Sequence, residues 1–198
     1  MQTVAIEGTV RENLGKKATK ALRGEGLVPC VVYGGDEVIH FSAPPKAFKS
    51  IIYTPDFKLA EINAGGKTVT AILKDIQFHP VTDNILHIDF LQLVPNKPLI
   101  AEVPIRLVGT APGVKVGGKL MQLLRRLKVK TTPEHLVDSI EVSVDELDLG
   151  KSVRVRDIPV VEGIQVMNST GIPVASIEIP RALRSAQAAE AAEAAKAG

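Results

Sequence analysis

The cations near the start of this chain are the first residues with an evident chemical use. Arg11, Lys16, Lys17, Lys20 and Arg23 lie close together, with only Glu12 opposing them. Elsewhere cations and anions alternate, and the formal net charge is only +2, so the cluster is a local feature. A local basic patch attracts polyanions even when the whole molecule is near neutral. Thr19 adds a hydroxyl beside the cations, and Tyr33 closes the apolar run that follows them. Cations for phosphate, hydroxyls for sugar and phosphate oxygens, and a ring for a ribose or base make an RNA-binding kit. A solvated basic loop is the plainer alternative, because surface charge is ordinary. The residue types by themselves leave both readings open.

A second constellation is HIDF, where His87 and Asp89 flank Ile88. Residues two apart on a strand project from the same face. With Cys30 they suggest a nucleophile triad, and alone they suggest a pair of metal ligands. Both readings lack members: there is no HxxxH, no second cysteine and no activated-serine turn. A polar sheet face, binding or merely solvated, fits better. GGKT at Gly65 to Thr68 imitates the end of a phosphate loop, but Glu61 stands where a glycine is required and the strand-like TVTAIL follows. A hairpin turn is expected there. Gly109, Gly113 and Gly117 read as turn and bulge positions. Asp145, Glu146 and Asp148 read as solvated carboxylates. Cys30, the single cysteine, excludes an internal disulfide and reads as a buried small hydrophobe. No enzyme, cofactor or metal site is expected.

The elements that must hold these groups are mostly strands. Tryptophan is absent and aromatics make up 4%, so Val, Ile and Leu have to form the core. That composition, with 16 Gly and 13 Pro, leans toward strands and turns. TVAIEGTVR alternates as a strand. GKKATKALRGEG reads as a short helix, with Ala18, Ala21 and Leu22 on one side and Gly24 or Gly26 at its end. CVVY, LAEINA, TVTAILKDIQFH and ILHIDFLQL are further strands, and PPKAFKSIIYT a second short helix. Pro95, Pro98 and Pro104 break continuity, which places a domain boundary near Val94. EVPIRLVG, DSIEVSVDEL, KSVRVRDIPV, GIQVMN and PVASIEIP predict a second β-rich domain. KLMQLLRRLKVK has leucines at helical spacing but turn signals at both ends, and local pattern does not decide it. The Ala/Glu-rich tail is expected to carry no catalytic role. The N-terminus lacks a signal-peptide core and no stretch approaches a membrane span, so a cytoplasmic chain without a membrane partner is expected.

VRENLGKKATKALRGEGLVPCVVYGG followed by KDIQFHPVTDNILHIDF closely resembles the bacterial large-subunit ribosomal protein family numbered twenty-five. VPIRLVGTAPGVKVGGKL, SIEVSVDELDLG and IPVASIEIP resemble the extra domain of its long form, the general stress protein CTC type. The resemblance implies an α+β, mostly β chain. It implies that residues 1–94 form a small β-barrel that binds 5S ribosomal RNA and 95–184 a second β-rich domain, with a tail expected at 185–198. It implies a structural role in the large ribosomal subunit, neighbouring ribosomal proteins as further partners, and a monomer when free. A stress-related RNA- or protein-binding adaptor acting off the ribosome is the alternative. By position, Arg11, Lys16, Thr19, Lys20 and Arg23 match the family's RNA-contacting loop and helix. Lys17 stands where small residues are common, and Ala21 where many members carry a cation, so Lys17 is expected to substitute. Tyr33, Gln77, His79, His87 and Asp89 match RNA-facing sheet positions. The family also favours extended structure for KLMQLLRRLKVK.

Overall fold

The computed structural model describes residues 1–159 and 162–180. The tail expected at 185–198 lies outside the described residues. The chain is mostly β, as its composition requires. The first part runs β1 (Gln2–Val10), α1 (Lys16–Gly24), β2 (Val28–Tyr33), β3 (Ile39–Ala43), a tight helical turn (Pro45–Phe48) leading into α2 (Lys49–Ile52), then β4 (Lys58–Ala64), β5 (Lys67–Phe78) and β6 (Ile85–Gln92). The strands close into a barrel in the order β1-β3-β2-β6-β5-β4. Two parallel pairings, β1 with β4 and β2 with β6, join the antiparallel ones.

Alternation explains the filling of the barrel. Ile6, Val28, Cys30, Val32, Phe41, Ile62, Ile88 and Phe90 point inward and are buried. Phe48 enters from the helical turn, and the Phe41 and Phe48 rings each sit 6.1 Å from Phe90. The few aromatics are thus pooled in one small core, where each buries more area than any aliphatic residue. β1 reaches this cluster only because Gly8 has no side chain: a Cβ there would lie 2.4 Å from the Phe41 ring. The expected hairpin turn is present at Gly65 and Gly66, whose φ values are 60° and 80°.

The second part comprises β7 (Leu99–Val108), α3 (Pro112–Lys115), β8 (Lys119–Gln122), β9 (Arg126–Thr131), β10 (Ile140–Ser143), β11 (Ser152–Arg154), β12 (Gln165–Val166) and β13 (Pro173–Glu178). They form a four-stranded sheet, β10-β7-β9-β12, and a three-stranded sheet, β11-β13-β8. Val103, Leu127, Val129, Val142, Val155 and Val174 are buried together in its core.

KLMQLLRRLKVK is extended, against its helical spacing, but it is two strands rather than one. β8 and β9 belong to different sheets, and the Leu123 and Leu124 amides both donate to the Val174 carbonyl at the corner, at 2.8 and 3.1 Å. Two expectations need correction. Gly113 is not a turn or bulge glycine: it lies in α3, where a Cβ would meet the Leu149 backbone nitrogen at 2.7 Å. KSVRVRDIPV is a strand only over β11; a helical turn, Val155–Asp157, follows, and the Asp157 carboxylate accepts the Arg154 amide at 2.9 Å. Asp145 is exposed but engaged. It accepts the Thr110 amide and the Ser143 hydroxyl, each at 2.9 Å, and these bonds, the Thr110 one foremost, hold its carboxyl below the usual range.

The two parts meet through apolar contact. Ile72 of β5 packs with Leu99, Ala101 and Leu136, flanked by Phe57, Leu59, Leu91 and Leu93. Lys74 donates to the Ile100 carbonyl at 3.0 Å, and Arg106 pairs with Asp56 at 2.5 Å. Lys97, in the connection, donates to the Gly34 carbonyl at 2.8 Å. A fragment of residues 1–94 is expected to fold alone with modest stability, because small domains bury less of their surface. Ile72→Ala should then cost about 2–4 kcal/mol in the full chain, and clearly less in the fragment, where Ile72 has already lost Leu99, Ala101 and Leu136. Urea melts of both proteins check this; equal costs would mean that contact across the two parts adds nothing.

Candidate nucleic-acid interface

The strand order assembles a polar row across the outside of the barrel. The Arg11 amide donates to the His40 carbonyl at 3.0 Å, continuing the β1–β3 pairing. His40 pairs with Val31, Val31 with Asp89, and Asp89 with Asp75. Gln77 pairs with His87 in the adjoining row. Because Cys30, Val32, Ile88 and Phe90 face inward, Val31, Tyr33, His87 and Asp89 must face outward. The inward Cys30 is fully buried, and that burial pushes its thiol far above the usual range, so it is no nucleophile.

His87 and Asp89 are the best-defined pair. Their Nδ1 and Oδ1 atoms lie 2.6 Å apart, with side chains 23% and 30% exposed. The carboxylate occupies one ring nitrogen and leaves Nε2 for a ligand. Tyr33 stands half-buried at the end of β2. Burial first, then the Asp89 and Asp75 charges, raise its phenol above the ordinary value, so the hydroxyl remains a donor. Gln77 is exposed beside His87. Asp75 and Asp89 face each other across β5 and β6, which places two acceptors side by side at some electrostatic cost.

α1 projects the cations differently from expectation. None of its residues is buried; Ala18, Thr19 and Leu22 are half-covered, and Ala21, expected on the docked side, is exposed. Arg23 supplies what the weak apolar side does not. Its guanidinium donates twice to the Leu86 carbonyl of β6, at 3.0 and 2.8 Å, and pins the helix to the barrel. Gly26, at φ 78°, turns the chain out of the helix. Thr19 donates its hydroxyl back to the Gly15 carbonyl at 2.7 Å. Lys16, Lys17 and Lys20 are exposed, and among the described residues none of them forms an ion pair.

His79 stands apart from the row. Its Nδ1 accepts the Val81 and Thr82 amides, both at 3.3 Å, and its own amide donates to the Asn84 carbonyl at 2.8 Å. Its visible work is to hold the β5–β6 turn, in which Asp83 takes φ 54°. His79 and Arg23 share a hollow of about 310 Å³ with Tyr53, Asn84 and Leu86. The sequence reading missed His40, Val31 and Asp75. No motif marks them; they join the site through register, and Asp75 through a bulge at the Leu73–Asp75 step.

Residues 6–90 match the Ribosomal L25p family, and residues 98–181 match the C-terminal domain of ribosomal protein TL5. The chain is 45% identical over 193 residues to a large ribosomal subunit protein bL25 from Phocaeicola vulgatus, covering 94% of this chain and 97% of that one. This chain belongs to the ribosomal L25p family. Two further relatives carry the same name: one from Porphyromonas gingivalis, 43% identical over 188 residues, and one from Azobacteroides pseudotrichonymphae, 42% identical over 186. These cover 94% and 93% of this L25p chain and 97% and 98% of the relatives. The L25p match takes in the whole polar row and α1, and the TL5 match begins beside β7.

His40 gives a pH signature for this face of the L25p domain. Burial first, then Arg11 and His87, hold its ring below the ordinary 6.5. The unfolded chain therefore takes up this proton more readily than the folded one. The His40 contribution to stability is complete above about 6.5 and is lost as pH falls below it. Proton NMR should show the His40 ring titrating below that value, and His40→Gln should reduce the fall of melting temperature between neutral pH and about pH 5. A His40 midpoint at or above the ordinary value would contradict the geometry.

Proposed function

We propose that this chain is a structural component of the large ribosomal subunit, acting in the cytoplasm, and that it binds 5S ribosomal RNA through the outer face of its barrel and α1. One observation carries the reading: lysines that form no ion pair among the described residues, on a helix with no buried residue, stand beside a sheet face of matched donors and acceptors. A helix that buries so little of itself is suited to being covered by a partner. The relatives named as large ribosomal subunit proteins at 42–45% identity support the assignment.

The roles divide by chemistry. Lys16, Lys17, Lys20 and Arg11 neutralise phosphates, which fixes position without reading sequence. Thr19 offers oxygen lone pairs beside them. Arg23 serves mainly as the anchor of the helix and keeps its remaining N–H groups for the RNA. Tyr33, Gln77 and the His87–Asp89 pair meet base edges and ribose hydroxyls. A carboxylate repels phosphate, so Asp89 belongs where a base amine or a 2′-hydroxyl donates. His79 contributes by shaping the β5–β6 turn. No cofactor is needed, because the recognition consists of hydrogen bonds and charge. Residues 95–184 act as a second unit alongside, with neighbouring ribosomal proteins as its partners.

Titration against 5S RNA and an unrelated RNA of equal length tests the assignment. Affinity should fall by a few decades from low to moderate salt if about five phosphates are neutralised. Lys20→Ala should weaken binding to both RNAs alike. Asp89→Ala should weaken the 5S complex selectively, by about tenfold or more, as expected when a hydrogen bond to a charged group is lost. A salt-independent affinity, or equal ratios for the two variants, would defeat this division of labour.

A further inference from the structure

At the β1–β3 end of the polar row, hydrogen-bonding capacity is left over. Arg11 Nε and Nη1 and His40 Nδ1 are buried without a hydrogen-bond partner among the described residues. Such groups are uncommon in folded proteins and mark places where something else completes the structure. The two residues are cross-strand neighbours, joined by the backbone bond of 3.0 Å. A guanidinium is all donor. A neutral imidazole carries one N–H, and on Nδ1 it would be a buried donor with no acceptor. On Nε2, which is not among those buried unpartnered atoms and has no hydrogen-bond partner among the described residues, it would be left for a ligand. Burial and the Arg11 charge keep the ring neutral in the free protein. This end of the face therefore offers donors from two side chains, whereas the Asp89–Asp75 end offers acceptors. Val31 lies between them as a small apolar floor.

We propose that Arg11 and His40 form a phosphate-binding subsite at the edge of the sheet face, in which His40 Nε2–H and the Arg11 guanidinium donate to oxygens of one RNA phosphate. The proposal rests on the RNA-binding reading above. Phosphate suits this pair because it has acceptor oxygens in several directions and no donor. A ribose hydroxyl or a base edge, with both kinds of group, is better served by His87, Asp89 and Gln77. A phosphate here also changes the electrostatics of His40. The groups around the ring are Arg11 directly after β1, Val31 from β2 and His87 from β6, with Asp89 on the far side of Val31. An added anion offsets the Arg11 charge and favours the imidazolium, so RNA binding takes up a proton at His40 as pH falls toward 6.

The test uses the full chain and 5S RNA, with melting curves recorded for each variant. His40→Phe, which has no N–H, should weaken binding about tenfold, because a charge-assisted hydrogen bond is lost. His40→Gln, which keeps a donor, should retain most of the affinity. Calorimetry near pH 6 in buffers of different ionisation heat should show proton uptake for the wild type and none at this site for His40→Gln. That comparison stands even if His40→Phe does not fold. Methylphosphonate substitution along the protected RNA segment should find one linkage whose neutralisation weakens the wild type more than it weakens His40→Phe, in which only Arg11 still meets that phosphate. The subsite is overturned if folded His40→Phe binds as the wild type does, if His40→Gln takes up the same protons, or if every linkage behaves alike in both proteins. A wild-type chain that does not prefer 5S RNA over the unrelated RNA defeats the parent reading as well, and so is distinguishable from failure of the subsite alone.

Discussion

The parallel pairing of β2 with β6 is the constraint on which the rest of the barrel depends. It aligns Cys30 with Ile88 and Val32 with Phe90 on the inside, where all four are buried to completion. Because a strand has a side-chain period of two, the same register leaves Val31 and Tyr33 beside Asp89 and Leu91 on the outside. A slip of one residue would send Asp89 into the aromatic core and expose Phe90. The hydrophobic pattern of the interior thereby enforces the geometry of the polar face. No separate device is needed to bring His87 and Asp89 next to a tyrosine that is far away in sequence.

That outer face is divided between two uses. Beyond Asp89 on β6 comes Leu91, paired with Ile72 of β5, and there the surface becomes apolar and is covered by the second part of the chain. The polar row and the covered patch are consecutive positions on the same strands. Burying Ile72, Leu91 and Leu93 removes what would otherwise be an exposed hydrophobic patch next to a ligand face. It also closes one flank of the row, and Lys97 adds a hydrogen bond to Gly34 directly after β2. Attachment of the second domain and presentation of Tyr33 are mechanically linked through one sheet.

The face is arranged at a cost that folding alone would not select. Asp75 and Asp89 oppose each other, and Arg11 and His40 keep buried nitrogens without partners. α1 buries none of its residues and is pinned by a single arginine onto one carbonyl. Each feature departs from what stability favours, and all gather on one side of the molecule. Departures from local consistency are expected to concentrate at functional sites. The second sheet system lacks such a concentration among its described residues; there Asp145 and Asp157 spend their carboxylates on loop amides.

Much of this was legible in the residues themselves. Alternation in TVAIEGTVR, CVVY and HIDF specified strands with one buried side, because burial of apolar area rewards a period of two. The GG turn, the interrupting prolines and the basic segment carried their meaning locally, since glycine, proline and charge act through their own backbone or their own field. Three things depended on the tertiary structure. Leucine spacing in KLMQLLRRLKVK suggested a helix, yet pairing with β7 and β13 made it two strands, because partners distant in sequence override local propensity. Arg23 looked like one more cation for a ligand, and only the approach of Leu86 made it an anchor. His40 carried no motif, and it entered the site because strand order laid Arg11, His40, Val31 and Asp89 side by side. The sequence determined which residues face outward on each strand; which outward residues become neighbours is a matter of register between strands, and that is settled only when the whole barrel closes.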